Sequence, residues 1–229
     1  MSTPNPGHDV LPEETSTAIE VDRYRPADRA DLYEVCLRTG DSGEDATGLY
    51  ADGDLLGHVY LGAYLELEPD LARALRRADG TVAGYCVATA STTDFERRCE
   101  ESWWPALRAR YAAPAEDDGS PDARLLRMIH APSRTETPWL AEFPAHLHVD
   151  LLPEAQGGGR GRAVLEAVLD AVAATGAPGI HLGVGGRNVR AIGFYEHLGF
   201  RTLEHHPWGL TMGLRLPRRL KQADGGRRS

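Results

Sequence analysis

Lysine is almost missing from this 229-residue sequence: Lys221 is the only one, and arginine carries the remaining side-chain positive charge. That excludes a phosphate loop of the G-x-x-x-x-G-K type, which needs a lysine at a fixed place. Cysteine is scarce too. Cys36, Cys86 and Cys99 are odd in number and widely spaced, with no C-x-x-C pair, and read as buried or free thiols of a reducing compartment. No apolar run approaches the roughly eighteen residues that span a bilayer, so no membrane partner is expected. The opening "MSTPNPGHDVLPEETSTAIE" has neither a basic start nor an apolar centre, so no signal peptide is expected and the compartment is read as cytoplasmic. A formal charge of −9 speaks against nucleic acid as a partner and suits a cationic one.

What is present is enough for one domain, with 41% hydrophobic residues. Residues 1–17, rich in Pro, Ser, Thr and Glu, read as a disordered lead, 18–216 as the folded domain and 217–229 as a basic flexible tail. "IEVDRYR" predicts a strand, and Pro26 with Asp28 opens a helix through about Leu37, stopped by Gly40. A short helix is expected near Leu55. "LARALRRADGTVAGYCVATA" has helical propensity in its first half, but Asp79-Gly80 is a hairpin signal, so two antiparallel strands are expected. "TDFERRCEESWWPALRARY" predicts an amphipathic helix restarted near Pro105, followed by an acidic Pro/Ala loop over 112–122. Then come a strand at "AHLHVDLL", a long helix closed by Gly176, a buried strand at "GIHLGV", a helix ending at Gly199, and two strands, "RTLEHH" and "LTMGLRL". This order predicts an α/β fold with a mixed sheet and helices on both faces.

The chemistry concentrates in "HLHVDLLPEAQGGGRGR", His146 to Arg162. Along a strand His146, His148 and Asp150 share one face. They resemble H-x-H-x-D, the first metal motif of metallo-β-lactamases, but Leu151 stands where that family has another histidine. His181, His197, His205 and His206 show no spacing that predicts convergence, so no metal is expected. The right half is more specific. Gln156, Gly159 and Gly161 form Q-x-x-G-x-G leading into a helix, and the amides of Gly157, Gly158, Arg160 and Arg162 extend a concavity at its N-terminus, suited to a diphosphate. The dinucleotide fingerprint G-x-G-x-x-G fails, because its third glycine would fall on Arg162.

Farther on come Asn188, Ala191, Phe194-Tyr195 and Leu198-Gly199-Phe200. With the glycine loop, this sequence resembles the GNAT superfamily of acetyl-CoA-dependent N-acetyltransferases, over roughly residues 143 to 216. "EVCLRTGDSGEDATGLYADGDLLGHVYLGAYL", "WWPALRARY" and "FPAHLHVDLLPEAQ" resemble actinobacterial acetyltransferases similar to the C-terminal domain of eukaryotic O-GlcNAcase, itself regarded as a pseudo-acetyltransferase. The resemblance implies a mostly antiparallel GNAT sheet, acetyl-CoA as cosubstrate and an amine acceptor, with a homodimer left open. It implies that Gln156 to Arg162 hold the pyrophosphate, that Asn188 and the backbone of Leu151 and Leu152 bind the pantetheine arm, and that Tyr195 protonates the leaving thiolate. "HLH" resembles the His-Leu-His of arylalkylamine N-acetyltransferase, which makes His146 and His148 candidate bases, with Asp150 orienting one or binding the amine. Asp41, Glu44 and Asp45 would border the acceptor cleft. Trp103, Trp104 and Trp139 come from an insertion at about 91–142. Three readings remain: an N-acetyltransferase, a silent acyl-CoA-binding or interaction module, and a zinc hydrolase.

Overall fold

The computed structural model describes residues 18–114 and 119–217. The expected lead, the tail from 218 and the centre of the acidic loop, 115–118, lie outside them. The strands are β1 (Ile19–Arg23), β2 (Ala72–Arg77), β3 (Val82–Thr89), β4 (Ala145–Leu151), β5 (Gly179–Gly185), β6 (Arg201–His206) and β7 (Gly209–Arg215). They form one seven-stranded sheet in the order β1-β2-β3-β4-β5-β7-β6. Every described pairing is antiparallel except β4 with β5.

Local chemistry accounts for the joints. The β2–β3 turn uses Gly80 at φ 90°, while the Asp79 carboxylate accepts from the Thr81 amide at 2.9 Å. Tertiary pairing thus overrides the helical propensity of "LARALRR". All eight residues of β3 are buried, because helices cover both faces of this inner strand. On one face lie α1 (Arg29–Arg38), α2 (Asp54–Tyr60), α3 (Gly62–Leu67), α4 (Thr92–Arg98), α5 (Trp104–Arg110) and α6 (Pro121–His130), around a core that includes Leu32, Tyr64, Phe95 and Leu125. On the other lie α7 (Arg160–Ala174) and α8 (Val189–His197), which bury Val164, Leu165, Val168 and Val172, at the spacing expected from the sequence.

Three expectations need refinement. The short helix near Leu55 is two helices, α2 and α3, broken at Leu61 (φ −131°). The helix restarted near Pro105 is α4, a wide turn over Cys99–Trp103, then α5 with Pro105 in its first turn, where its missing N–H costs no bond. The acidic loop ends sooner than 122. Ser120 accepts from the Ala123 amide and starts α6, a helix hidden from the composition by its Pro and Asp neighbours.

Leu165 is fully buried in α7. Leu165→Ala should destabilise the fold by about 2–5 kcal/mol, read from the midpoint of urea unfolding at unchanged slope.

Candidate active site

β4 and β5 pair over only two positions, Ala145↔Ile180 and His146↔His181. Beyond these β4 continues to Leu151, held by β3, and β5 continues to Gly185, held by β7, so the two strands separate into a fork. The Leu152 amide donates to Ala83 on the β3 side at 2.9 Å. Strand alternation then turns the N–H groups of Val149 and Leu151 into the gap. Leu152 does not share this role: its carbonyl also accepts from Ala155, so both of its backbone groups are engaged elsewhere.

The gap leads to the glycine loop. Gly157, Gly158 and Gly159 have φ of 78°, 58° and 79°, three consecutive left-handed residues that only glycine adopts without strain. Gly159 caps α7, whose first-turn amides, including those of Gly161 and Arg162, have no intrahelical acceptor. This concavity suits an anion. The Arg160 guanidinium folds over the loop, 3.5 Å from where a Gly158 Cβ would stand, whereas Arg162 pairs with Glu166 at 3.0 Å.

The remaining residues expected at the loop act as braces. Gln156 donates from Nε2 to the Leu151 carbonyl at 2.9 Å and accepts from Arg190 at 2.6 Å. Asn188 caps α8 by accepting from the Ala191 amide at 3.0 Å, and its Nδ2 donates to the Ser42 carbonyl at 3.0 Å. Asp41 reaches Arg187 at 3.2 Å, so the loop after α1 is tied to the end of β5. Asp45 accepts from the Thr47 amide and hydroxyl within its own turn, and Glu44 bridges Asp41 through the backbone. Trp104 is core, Trp103 donates to the His58 carbonyl at 3.0 Å, and Trp139 donates to Glu204 at 3.0 Å.

His146, His148 and Asp150 lie on one face of β4, as their spacing requires, but in different states. Thr92 donates its hydroxyl hydrogen to the Pro144 carbonyl at 2.8 Å, so at 2.7 Å it accepts from His146 Nδ1–H. His146 Nε2 is then left to accept from the Tyr64 hydroxyl. With both nitrogens engaged and burial pushing its pKa well below the usual range, His146 stays a neutral imidazole. That occupancy also argues against metal ligation, and among the described residues no three His, Cys, Asp or Glu side chains gather as a metal site. The His148 imidazole forms no hydrogen bond among the described residues, and burial first, then the neighbouring His181, lowers its pKa to about 4. Burial raises Asp150 to about 6, against the pull of the Tyr85 and Thr39 hydroxyls; Tyr85, its register partner on β3, donates to it at 2.5 Å. Tyr195 sits on α8, edge-on to Phe200 at 5.6 Å. Burial, then the charges of Asp150 and Cys86, raise its pKa, so its hydroxyl stays protonated at neutral pH.

The profile of the acetyltransferase (GNAT) family matches residues 17–200. The chain belongs to the GNAT acetyltransferase family. It is 27% identical over 189 residues to the rat (Rattus norvegicus) protein O-GlcNAcase, covering 81% of this chain and 20% of that protein, so this chain spans about a fifth of that relative's length. The crystal structure of SsHAT superposes at a TM-score of 0.82 with 35% identity, covering 86% of this chain and 98% of that one. A putative acetyltransferase from Salmonella typhimurium, solved with its cofactor acetyl-CoA, shares the fold at a TM-score of 0.51 and 17% identity, covering 90% and 99%.

Sequence reasoning missed Tyr64, Thr92, Tyr85 and Arg190. Arg190 stands two residues after Asn188 inside the quoted motif, and Tyr85 lies in the predicted hairpin. Tyr64 and Thr92 carry no local signal. If the Tyr85 hydroxyl holds Asp150 down, Tyr85→Phe should raise the Asp150 titration midpoint above about 6, measured by carboxyl carbon NMR.

Proposed function

We propose that this chain transfers the acetyl group of acetyl-CoA directly to a primary amine. The observation that supports it most is the unpaired edge of β4 running into three left-handed glycines at the N-terminus of α7. A linear amide chain suits an open strand edge, and a pyrophosphate suits the loop. The residues present therefore fit acetyl-CoA, with the amides of Val149 and Leu151 along its arm and those of Gly158, Gly159 and Gly161 at its pyrophosphate. Arg160, and Arg190 once it exchanges Gln156 for phosphate, supply positive charge. Asn188 stands where its Nδ2 can turn from Ser42 to the arm.

Acetyl-CoA, when bound, supplies an acyl carbon activated as a thioester. The protein must supply proton control and position. An alkylamine of pKa about 10.4 is neutral only about once in 2,500 molecules at pH 7. Asp150 is ionised above about pH 6 and is the charged group at the fork, so it attracts the ammonium and accepts its proton. His148, neutral across that range, forms a wall, and His146 fixes the fork. Tyr195, held protonated, donates to the leaving sulfur. A Leu151 or Val149 N–H polarises the carbonyl.

The similarity to O-GlcNAcase over most of this chain favours one rival, a module that binds acyl-CoA without turnover. A free-thiol assay across a panel of amines separates them, since the rival predicts binding and no amine-dependent release. For the enzyme, kcat/KM should rise as pH passes about 6 and Asp150 ionises. Asp150→Asn should remove that limb and lower turnover about 10²-fold or more, with acetyl-CoA affinity retained by calorimetry. Gly159→Val should instead weaken acetyl-CoA binding. A flat pH profile with full Asp150→Asn activity would remove Asp150 from the chemistry.

A further inference from the structure

The sheet face that carries Asp150 has an opening of its own. β5 is an inner strand, yet Gly183 is exposed between buried Leu182 and Val184. Above it lies the indole of Trp208, from the turn between β6 and β7; a Cβ on Gly183 would stand 3.2 Å from Trp208 Cη2. The glycine thus lets an indole rest directly on the strand.

Trp208 is 57% exposed, and it is held rigid. Its ring stacks on His206 at 4.6 Å and 4° between planes. His206 is pinned in turn by a 2.9 Å hydrogen bond between Nε2 and the Thr211 hydroxyl, buried in the sheet. A large aromatic side chain kept in one orientation with a face open to solvent forgoes burial, and such ordered aromatic surface is what binding sites use.

Register sets its distance from Asp150. His146 and His181 are the last pair before the fork, so, counted along the strands, Gly183 is level with His148 and Gly185 with Asp150. The platform is therefore about 7 Å short of Asp150 along the strand direction. Tyr60, whose ring lies 6.0 Å from that of His148, adds a second aromatic on the opposite limb. Aromatic rings thus stand on both limbs of the fork, short of Asp150.

Resting on the transferase reading above, we propose that Trp208 is the acceptor platform and that the acceptor is a primary amine joined by a short linker to a planar ring. The ring stacks on the free indole face, and the nitrogen reaches Asp150. A saturated chain of the same length gains no stacking there.

The test uses the full chain with acetyl-CoA and two amines, 2-phenylethylamine and n-propylamine, followed by thiol release. The ratio of their kcat/KM values should favour 2-phenylethylamine and fall about tenfold in Trp208→Ala, with Trp208→Phe restoring most of it. Gly183→Ala, which pushes the indole away, should lower the same ratio, while the Kd for acetyl-CoA holds in all three variants. An unchanged ratio, or equal losses on both amines, overturns the platform. Turnover of neither amine despite acetyl-CoA binding counts against the transferase reading instead. In that case saturable quenching of tryptophan fluorescence by 2-phenylethylamine, lost in Trp208→Phe, supports the platform, and its absence overturns it.

Discussion

The loss of pairing between β4 and β5 after His146↔His181 is the constraint on which the site depends. Two strands in the middle of a sheet ordinarily satisfy each other's backbone groups, and unpaired groups there are costly unless something else bonds them. Here the outer partners hold both strands to their ends, β3 on one side and β7 on the other, so the fork cannot close by slipping register. The His146 cluster sits at its apex. Tyr64 from α3 and Thr92 from α4 grip both nitrogens of the imidazole at the last paired position, and His181 opposite it bonds the Phe143 carbonyl at 2.8 Å. We read these histidines as the pin from which the strands diverge.

That arrangement also explains the electrostatics of the face. Burial keeps the three imidazoles His146, His148 and His181 neutral, which leaves Asp150 as the carboxylate at the fork. On the proposed function, such a carboxylate would draw in a cationic amine and, with its own affinity for protons raised, would accept one more readily than an exposed aspartate. The cost appears in stability. A group whose folded pKa lies above its unfolded value contributes stability that is complete below about pH 4 and is lost as pH rises through about 6, so the ionised form is the less stable one.

Much of the architecture was legible in the residues. Asp79-Gly80 announced the hairpin, the apolar spacing of Val164, Leu165, Val168 and Val172 announced α7, and Gln156, Gly159 and Gly161 announced the loop before it. Those signals are local, set by φ, by alternation or by helical period. What stayed hidden depends on partners far away in the chain. The hydrogen-bond partners of His146, Tyr64 and Thr92, stand 82 and 54 residues distant. The contact of Asp150 with the Tyr85 hydroxyl depends on the register of β3 against β4. Leu152 and Leu151 look interchangeable in sequence, and only the pairing with Ala83 shows which one faces the gap. The GNAT family fixes the acetyltransferase fold, and the chain's match to a fifth of O-GlcNAcase carries none of that whole protein's activity across.

The most direct test is residue-resolved amide hydrogen exchange with and without acetyl-CoA. Filling of the fork predicts new protection at Val149, Leu151, Gly158, Gly159 and Gly161, with Leu152, already bonded to Ala83, unchanged. Exchange at Val149 and Leu151 that stays the same while acetyl-CoA is bound would place the coenzyme elsewhere and contradict this account.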